Sequence, residues 1–306
     1  MSKTDPAGVS WLIRKFSTEF THRFSWFGIE ARKYILEYLG LPYTRIAESA
    51  NTIINAETYN YPRSDEKVVA FLRWAKEMEV KGILTTRIGP GQTTVGDQRW
   101  TDKYIEASYK KGMADAYAYG GYEAVSKLTF DQWFTASFYL PIHADRVGLL
   151  YTRTFNELEG VTNAMDQSMS RVLAQGMSEG KNPKKIARNL VAEVKDIGIR
   201  RANLIAHTEI MRAHAEGSLN TYESFAEEGV SLRAEILNAG DDKVCSRCLA
   251  LSTNPDGSTR VYILSEARGL IPKHPACRCC WLALTEDLKG ENRLKQATSI
   301  IDENIL

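Results

Sequence analysis

The chain has 306 residues, with 39 basic side chains against 38 acidic ones and a formal net charge of +1 at pH 7. This balance excludes a polycationic nucleic-acid coat and an acidic disordered chain as descriptions of the whole molecule. Hydrophobic residues make up 43% of the chain and charged residues 25%, which is ordinary for a globular protein with a buried core. The length predicts about two domains.

The N-terminal segment MSKTDPAGVSWLIRKF lacks the continuous apolar stretch and the cleavage site of a signal peptide. No part of the chain approaches the ~18 consecutive apolar residues that a membrane-spanning helix needs. The sequence therefore predicts a soluble protein that is cytoplasmic when made and has no membrane partner.

Helical periodicity marks two segments in the first part of the chain. Residues 65–80 carry apolar side chains three or four positions apart, and Asp65 and Glu66 in the first turn favour the positive end of the helix dipole. A second helix is predicted from about Trp100 to Tyr119. Between them, residues 86–98 combine glycine, proline and polar residues without periodicity, which is typical of a surface loop.

A third and longer helix is predicted after Pro141 and His143. Its apolar residues form a nearly heptad stripe that continues to a break at Gly176 and Gly180: Val147, Tyr151, Leu158, Met165, Met169 and Val172. If the helix is unbroken at Gly160, it is ~50 Å long at 1.5 Å per residue. A helix of that length is a strut rather than a pocket wall.

The next signals are a helix start and a stripe of small residues. Gly180 is placed to end one helix, while Asn182 as N-cap and Pro183 as first residue begin the next. After another short break, small side chains recur at helical spacing and predict close approach to a neighbouring helix: Ile199, Ala202, Ala206, Ile210, Ala213 and Gly217. Beyond Gly229 the segment SLRAEILNAG alternates like a strand.

These patterns predict a mainly α protein, in which a helical N-terminal region and a long-helix bundle precede a small α+β module at the C-terminus. The predicted divisions are a helical N-terminal region of unknown role at 1–140, a long-helix part at 141–229, the small α+β module at 230–285 and a tail at 286–306. The tail is weakly amphipathic, which fits either a docking helix or a frayed end.

All five cysteines lie after residue 244. An odd number crowded into one short segment is unlike a secreted disulfide framework and favours metal binding in a reducing compartment. Cys245 and Cys248 form a C-x-x-C pair, and His274 and Cys277 form an H-x-x-C pair. Because a two-residue spacer lets one turn point two side chains at the same ion, the two pairs together predict tetrahedral zinc. The small α+β module at 230–285 is therefore predicted to be zinc-stabilised, with the ion as its staple.

The metal site is predicted to use four of five residues: Cys245, Cys248, His274, Cys277 and Cys279. Cys279 can replace Cys277, because a turn through Pro275 can present either sulfur. Cys280 precedes a tryptophan and is predicted to be a small buried hydrophobe. A site closed by four protein ligands is structural rather than catalytic. The competing interpretations are unmetallated core thiols or a late disulfide.

Two segments of the chain are strongly basic, although the net charge of the whole chain is close to zero. Residues 243–281 contain six Lys and Arg against Asp256 and Glu266, and residues 181–201 contain seven against two acidic residues. Such patches can follow nucleic-acid phosphates, and they are equally common on solvated surfaces. The candidate phosphate contacts are Lys184, Lys185, Arg188 and Arg247.

An enzymatic interpretation competes with the structural one. His207 and Glu209, followed by the C-x-x-C pair, imitate the zinc-deaminase signature, in which three ligands leave an open position and the glutamate moves protons. Val244 stands where that signature has proline, the His274 pair would have no purpose, and His207 lies in mid-helix. Since no H-E-x-x-H, Walker or G-x-S-x-G motif is present either, we predict no catalytic residue and no enzyme.

The order of the motifs resembles the phage Mu F-like head-morphogenesis family, the minor head proteins of tailed bacteriophages. The resemblance covers residues 145–285. It rests on an I-A-x-T-E-x-x-R-A helix, a D-x-x-V-C-x-x-C loop and a terminal H-P-x-C-R-C. The helix motif residues are Ile205, Ala206, Thr208, Glu209, Arg212 and Ala213. Position 207, often arginine in that family, is histidine here.

The resemblance implies a minor capsid protein without catalysis of its own, present in few copies near the portal vertex. Its implied roles are procapsid assembly, DNA packaging and genome ejection. The implied partners are the portal protein, the major capsid or scaffolding protein and packaged double-stranded DNA, and the implied location is the virion after assembly in the host cytoplasm. Glu209 and Arg212 are expected to brace their helix against the zinc module, while an independent zinc-dependent nucleic-acid-binding module remains the alternative.

Overall fold

The computed structural model describes residues 5–38, 59, 61–84, 86–87, 98–120 and 129–285. This part of the chain is mainly helical and has a small sheet near its C-terminal end, as the sequence predicts. The elements in chain order are α1 (Ser10–Tyr38), α2 (Ser64–Gly82), β1 (Thr86–Arg87), β2 (Gln98–Arg99), α3 (Asp102–Gly120), α4 (Phe130–Phe138), α5 (Pro141–Ser178), α6 (Pro183–Glu193), a π-helical segment (Val194–Ile199), α7 (Arg200–Glu227), β3 (Leu232–Leu237), α8 (Ser246–Ser252), β4 (Val261–Tyr262), α9 (Leu264–Ala267) and β5 (Cys280–Thr285).

Helix α1 has one aromatic face. The side chain of Asp5 accepts hydrogen bonds from the backbone amides of Val9 and Ser10, at 3.3 and 2.9 Å, and so satisfies amides at the start of the helix. Buried side chains then recur every three or four residues, which is the period of a helix with one face in the core. They are Leu12, Phe16, Phe20, Phe24, Phe27, Ala31 and Ile35.

Helix α2 confirms the helix predicted from residue 65, and its buried residues include Phe71 and Ala75. The loop predicted at 86–98 is only partly covered, since residues 88–97 lie outside the described chain. Its two ends form strands: Thr86–Arg87 pairs antiparallel with Gln98–Arg99.

Helix α5 is the predicted long helix, and it continues through Gly160 without a break. At 1.5 Å per residue its 38 residues span about 57 Å. The predicted stripe is confirmed at Val147, Leu158, Met165 and Met169, which are all buried. The helix ends where Gly180 adopts a left-handed φ of 62° and the Lys181 amide donates to the Gly176 carbonyl at 2.9 Å.

The start of α6 follows its sequence signals, whereas the break predicted before α7 is wrong. Asn182 is the N-cap, its side chain accepts a hydrogen bond from the Lys184 amide at 2.8 Å, and Pro183 is the first helical residue. Instead of a break, the π-helical segment joins α6 to α7 without interruption. Its Gly198 lies so close to Phe24 that an added Cβ would stand 2.4 Å from the ring.

Helices α3 and α7 make the close approach that the small-residue stripe predicts. A Cβ added at Gly217 of α7 would lie 2.3 Å from the carbonyl oxygen of Tyr109, and one added at Gly112 of α3 would lie 2.1 Å from that of His214. Both distances are shorter than any real contact, so only glycine fits at either position. The Ser108 and Ser218 hydroxyls donate across the crossing to the carbonyls of Ile210 and Gly112.

The C-terminal sheet has the order β4, β3, β5, and all its pairs are antiparallel. In β3, Leu232, Ala234 and Ile236 are buried, and the residues between them are exposed or half-buried, which confirms the predicted alternation. Strand β5 lies beside β3 in a register that sets Cys280 opposite Leu237, and it packs against α3.

The described residues form two compact units that do not follow sequence order. Unit 1 comprises the described residues of Met1–Phe16, Trp100–Thr154 and Leu204–Leu306, and unit 2 those of Ser17–Arg99 and Phe155–Asn203. The long helices α1, α5 and α7 each contribute to both units, so the units differ from the four consecutive segments expected from sequence. Among the helices of the described chain, none is long and apolar enough to cross a membrane. The predicted tail, residues 286–306, lies outside the described chain.

Candidate metal centre

The first ligand pair lies at the start of α8. Cys245 is the N-cap residue, in extended conformation, and its sulfur accepts a hydrogen bond from the Cys248 amide at 3.4 Å. A cysteine sulfur therefore takes the place that serine or aspartate oxygen usually occupies at a helix start. The three-residue separation puts both sulfurs on the same side of this first turn.

The second pair lies in the loop that leads into β5. The Cys277 amide donates to the His274 carbonyl at 3.1 Å, which closes a tight turn. Ala276 completes that turn with a φ of 61°, in the left-handed region that costs a residue with a Cβ roughly 1 kcal/mol. This backbone conformation brings Cys277 back to the side on which His274 lies.

All five predicted ligand residues come together. Nε2 of His274 lies 3.2 Å from the Cys245 sulfur and 3.1 Å from the Cys248 sulfur, and the sulfurs of Cys248 and Cys277 are 3.7 Å apart. The donor atoms form two overlapping trios that share Cys248, namely Cys245, Cys248 and His274, and Cys248, Cys277 and Cys279. All five cysteines are free in the structure, so no disulfide joins any two of them there.

Within each trio, the spacing of neighbouring donors is close to the spacing around a tetrahedral metal ion. Bonds of about 2.3 Å to sulfur and about 2.0 Å to nitrogen at tetrahedral angles separate two sulfurs by about 3.8 Å and a sulfur from a nitrogen by about 3.5 Å. The observed separations of 3.7, 3.2 and 3.1 Å lie close to these values. The cluster can therefore hold a metal ion.

The thiols differ in how readily they ionise. A hydrogen bond from the Cys279 thiol, with further hydrogen bonds from backbone amides, lowers the pKa of Cys277 to about 5 although burial opposes the shift. The same pairing raises the pKa of Cys279. The Cys248 amide lowers the pKa of Cys245 to about 7. Burial raises the pKa of Cys248 to about 12. Cys245 and Cys277 therefore ionise more readily than Cys248, and a bound cation would favour deprotonation of every cysteine ligand.

Cys280 is a core residue, as predicted. Its side chain is buried, and burial raises the pKa of its thiol. The neighbouring Trp281 is buried as well and packs edge-on against Tyr262, with ring centroids 5.8 Å apart. Cys280 belongs to neither of the two donor trios.

The ring of His274 is oriented for metal binding. Its Nδ1–H donates to the Pro275 carbonyl at 2.7 Å, which leaves the lone pair on Nε2, the atom that faces the two sulfurs. Metal-ligating histidines usually donate their other ring nitrogen in this way, because the bond fixes both tautomer and orientation.

An arginine joins the two halves of the site. Arg278, which stands between Cys277 and Cys279, donates two hydrogen bonds of 2.6 Å to Asp241, the first residue of the D-x-x-V-C-x-x-C loop. This pairing lowers the pKa of the Asp241 carboxyl. A bidentate pair resists rotation, so it fixes the two ligand loops relative to each other. The sequence analysis does not predict this pair, although Asp241 begins the D-x-x-V-C-x-x-C motif and Arg278 is the arginine of the H-P-x-C-R-C motif.

Helix α7 reaches the site through His207. The Nε2–H of His207 donates to the Cys277 carbonyl at 3.1 Å, and burial lowers the pKa of this histidine, which keeps it neutral. His207 is in neither of the donor trios of the described chain. It supports the backbone of a ligand, whereas the deaminase interpretation needs it as a ligand itself.

The motif residues Thr208, Glu209 and Arg212 also stabilise the helices. The Thr208 hydroxyl donates to the Leu204 carbonyl one turn earlier, at 2.7 Å. The buried carboxylate of Glu209 pairs with Arg153 of α5 at 3.1 Å and with Arg212 at 3.4 Å. These contacts tie α7 to α5, whereas we had expected Glu209 and Arg212 to brace α7 against the zinc module.

Arg268, from the loop after α9, braces α7 against the module instead. Its guanidinium donates to Glu216, to the Asn220 side-chain oxygen at 2.7 Å and to Glu223 at 2.5 Å, three residues on one face of α7. Sequence reasoning had counted Arg268 and Arg278 only as part of a basic patch. Because carboxylates neutralise both, the 243–281 segment presents less positive charge to solvent than its composition indicates.

The four candidate phosphate contacts are all exposed, and they belong to two different units. Lys184, Lys185 and Arg188 lie on α6 in unit 2, while Arg247 lies on α8 in unit 1. The exposed side chains of Lys184, Lys185 and Arg188 form a basic surface that an anion can reach.

Comparison with known proteins finds no similar protein: the chain matches no family model, no curated protein and no solved structure.

Proposed function

We propose that this chain is a structural minor capsid protein of a tailed bacteriophage, in which a zinc ion holds the C-terminal module together. One observation carries the proposal. The motifs by which the sequence resembles the phage Mu F-like family, far apart in sequence, meet at one cluster, where His207, Asp241 and Arg278 support the backbone and loops that bear the ligands.

Zinc is the metal that suits these donors best. Thiolate sulfurs and an imidazole nitrogen in tetrahedral arrangement are typical of zinc, whereas calcium and magnesium take oxygen ligands. We assign Cys245, Cys248, His274 and Cys277 as the ligands. Cys277 is preferred to Cys279 because a hydrogen bond from Cys279 lowers the pKa of the Cys277 thiol, so that Cys277 ionises more readily.

A centre of this kind stabilises structure and performs no chemistry. Four protein ligands leave no position at which the metal can activate water or polarise a substrate. The deaminase alternative needs His207 on the metal and Glu209 free to move protons. The contact of His207 with a carbonyl and the ion pairs of Glu209 with two arginines favour the structural role.

The proposed partners follow from the same family resemblance. We propose association with the portal protein in the capsid interior or at the portal vertex, contact with the major capsid or scaffolding protein, and roles in DNA packaging and genome ejection. The long helices suit a protein whose function is contact with other chains, since α5 alone spans 38 residues. A nucleic-acid-binding module is the second candidate, supported by the exposed cations Lys184, Lys185 and Arg188 on α6.

The decisive experiment measures zinc content and head association together. Virions and procapsids purified from infected cells are expected to contain the wild-type chain in few copies, and the purified chain to hold about one zinc ion. His274→Asn is expected to lose both zinc and incorporation, because the module no longer holds its shape. His207→Asn is expected to keep most of the zinc, since the histidine contacts only a carbonyl of the ligand loop.

Cys280→Ala is the matched control, because it removes a buried thiol of the same segment that lies outside both donor trios. It is expected to keep its zinc and its place in heads. Absence of the wild-type chain from heads would overturn the capsid proposal. Loss of zinc on changing His207 but not His274 would overturn the ligand assignment, and DNA binding with a steep salt dependence outside any head would favour the second candidate.

A further inference from the structure

A groove on the surface of unit 2 lies between α1 and the α6–π segment. Its main part has a volume of about 410 Å³, and its apolar lining consists of Phe24, Gly28, Ile29, Val191, Val194 and Ile199. A second depression of about 190 Å³ shares Arg32 and Val191 with the first and extends to Leu36. Because of these shared residues, the two depressions form one continuous surface, here called the α1–α6 groove.

The α1–α6 groove has the length of a helix of several turns. Its lining on α1 runs from Thr21 to Leu36, which is about 22 Å at 1.5 Å per residue. The two walls touch at the bottom, where a Cβ on Gly28 would stand 3.6 Å from a methyl group of Val194. Ile29 keeps 56% of its surface exposed at the edge. Val191 and Ile199 are half-buried, so they and Ile29 are the apolar side chains that a ligand in the groove can reach, while Phe24 and Val194 form its buried floor.

The charges around the groove have one sign. Arg32, Lys184, Arg188 and Lys195 line it and are exposed, and no acidic residue lines either depression. Within the described residues none of these four side chains has an ion-pair partner. Other cations on nearby positions do: Lys33 pairs with Glu30, Lys181 with Glu179 and Arg200 with Asp196.

We propose that the α1–α6 groove binds an amphipathic helix of a partner protein, with leucine or isoleucine at every third or fourth position and acidic residues on both flanks. The apolar face would fill the groove, and the flanking carboxylates would meet the four cations, which is the usual recognition of a helix in a groove. A DNA duplex offers phosphates to the cations but nothing to the apolar lining. No groove residue belongs to the metal centre, so this proposal stands apart from the proposed function.

The test uses the full chain and two labelled synthetic helices of about 18 residues, long enough to span the groove. Both carry leucine at every third or fourth position; one has glutamate and the other lysine on the flanks. In fluorescence anisotropy the wild-type chain is expected to bind the glutamate helix about tenfold more tightly than the lysine helix. The double variant Arg32→Glu/Lys195→Glu is expected to reverse that preference, and Ile29→Asn to weaken both complexes.

The control for charge is Lys33→Glu/Arg200→Glu, which changes the net charge equally at cations outside the groove and is expected to keep the wild-type preference. Equal affinity for the two helices would overturn the proposal, as would no binding, or a preference that the groove variant leaves unchanged. Binding of a duplex of about 20 base pairs that the groove variant abolishes, without binding of either helix, would assign the groove to nucleic acid instead.

Discussion

At the scale of single residues, the carboxyl group of Glu79 has an unusual environment. It is fully buried in α2, with Nζ of Lys76 3.3 Å from one of its oxygens and 3.6 Å from an oxygen of Asp166. Burial, with the nearby Asp166 charge, raises the pKa of Glu79 to about 8, although Lys76 opposes the shift. Near neutral pH this carboxyl therefore keeps its proton.

The raised pKa of Glu79 predicts how stability depends on pH. The folded state holds this proton more tightly than the unfolded state does, so the protonated carboxyl contributes to the free energy of unfolding. That contribution is fully present below the ordinary carboxyl pKa of 4.5 and is lost as pH rises through about 8. Glutamine at this position does not titrate. Between pH 5 and pH 8, the Glu79→Gln variant is therefore expected to lose roughly 1–3 kcal/mol less of its free energy of unfolding than the wild type loses. Urea unfolding at several pH values measures it.

Glu77→Gln is the control, because Glu77 is exposed on the same helix. It is expected to follow the wild-type pH dependence. If Glu79→Gln and the wild type lose stability in parallel from pH 5 to pH 8, Glu79 is ionised in the folded protein and the assignment of its proton is wrong.

At the scale of elements, the crossing of α3 and α7 depends on glycine in both helices. The stripe that includes Ala206, Ala213 and Gly217 predicts close approach from the sequence of α7 alone, and the structure confirms it. Its counterpart, Gly112, was not predicted, because one glycine in a helical pattern does not reveal which backbone lies opposite. That information is present only once the two helices are packed.

Gly112→Ala is expected to lower the free energy of unfolding by about 2–4 kcal/mol, because its Cβ would stand 2.1 Å from a backbone oxygen that cannot turn aside. Gly160→Ala in α5 is the matched control: an added Cβ there meets nothing within 4 Å. That change is expected to stabilise by about 0.5–1 kcal/mol, since alanine favours a helix more than glycine does. Denaturant unfolding compares them, and equal midpoints for the two variants would contradict the close contact.

At the scale of the whole molecule, the metal centre belongs to a unit assembled from distant parts of the chain. Unit 1 combines the C-terminal module with α3 and with portions of α1, α5 and α7. The ligand loops are joined to α7 by His207 and Arg268, and β5 packs against α3. Loss of the metal is therefore expected to weaken more than the ligand loops themselves.

Chelation tests this dependence. Removing the proposed zinc ion with EDTA is expected to cost several kcal/mol and to expose the amides of β3, α8 and β5 to hydrogen exchange, because the two ligand loops would lose the ion that holds them together. The amides of α2, in unit 2, are expected to keep their protection, since no predicted ligand lies in that unit. Added zinc should restore protection and added magnesium should not. Unchanged exchange in β5 after chelation would show that the ion is dispensable.

The sequence by itself determined the features that depend on neighbours a few positions away. Caps, periodicity and two-residue spacers act within one or two helical turns, so the sequence alone reveals what they determine. They predict the helix start at Asn182, the length of α5, the strand after Gly229 and the two ligand pairs. Only the tertiary structure decided that Asp241 meets Arg278, that Arg268 holds α7, and that the His207 ring donates to the Cys277 carbonyl. Those contacts join residues tens of positions apart, so the path of the whole chain, and not local spacing, selects which charges and hydrogen-bonding groups meet.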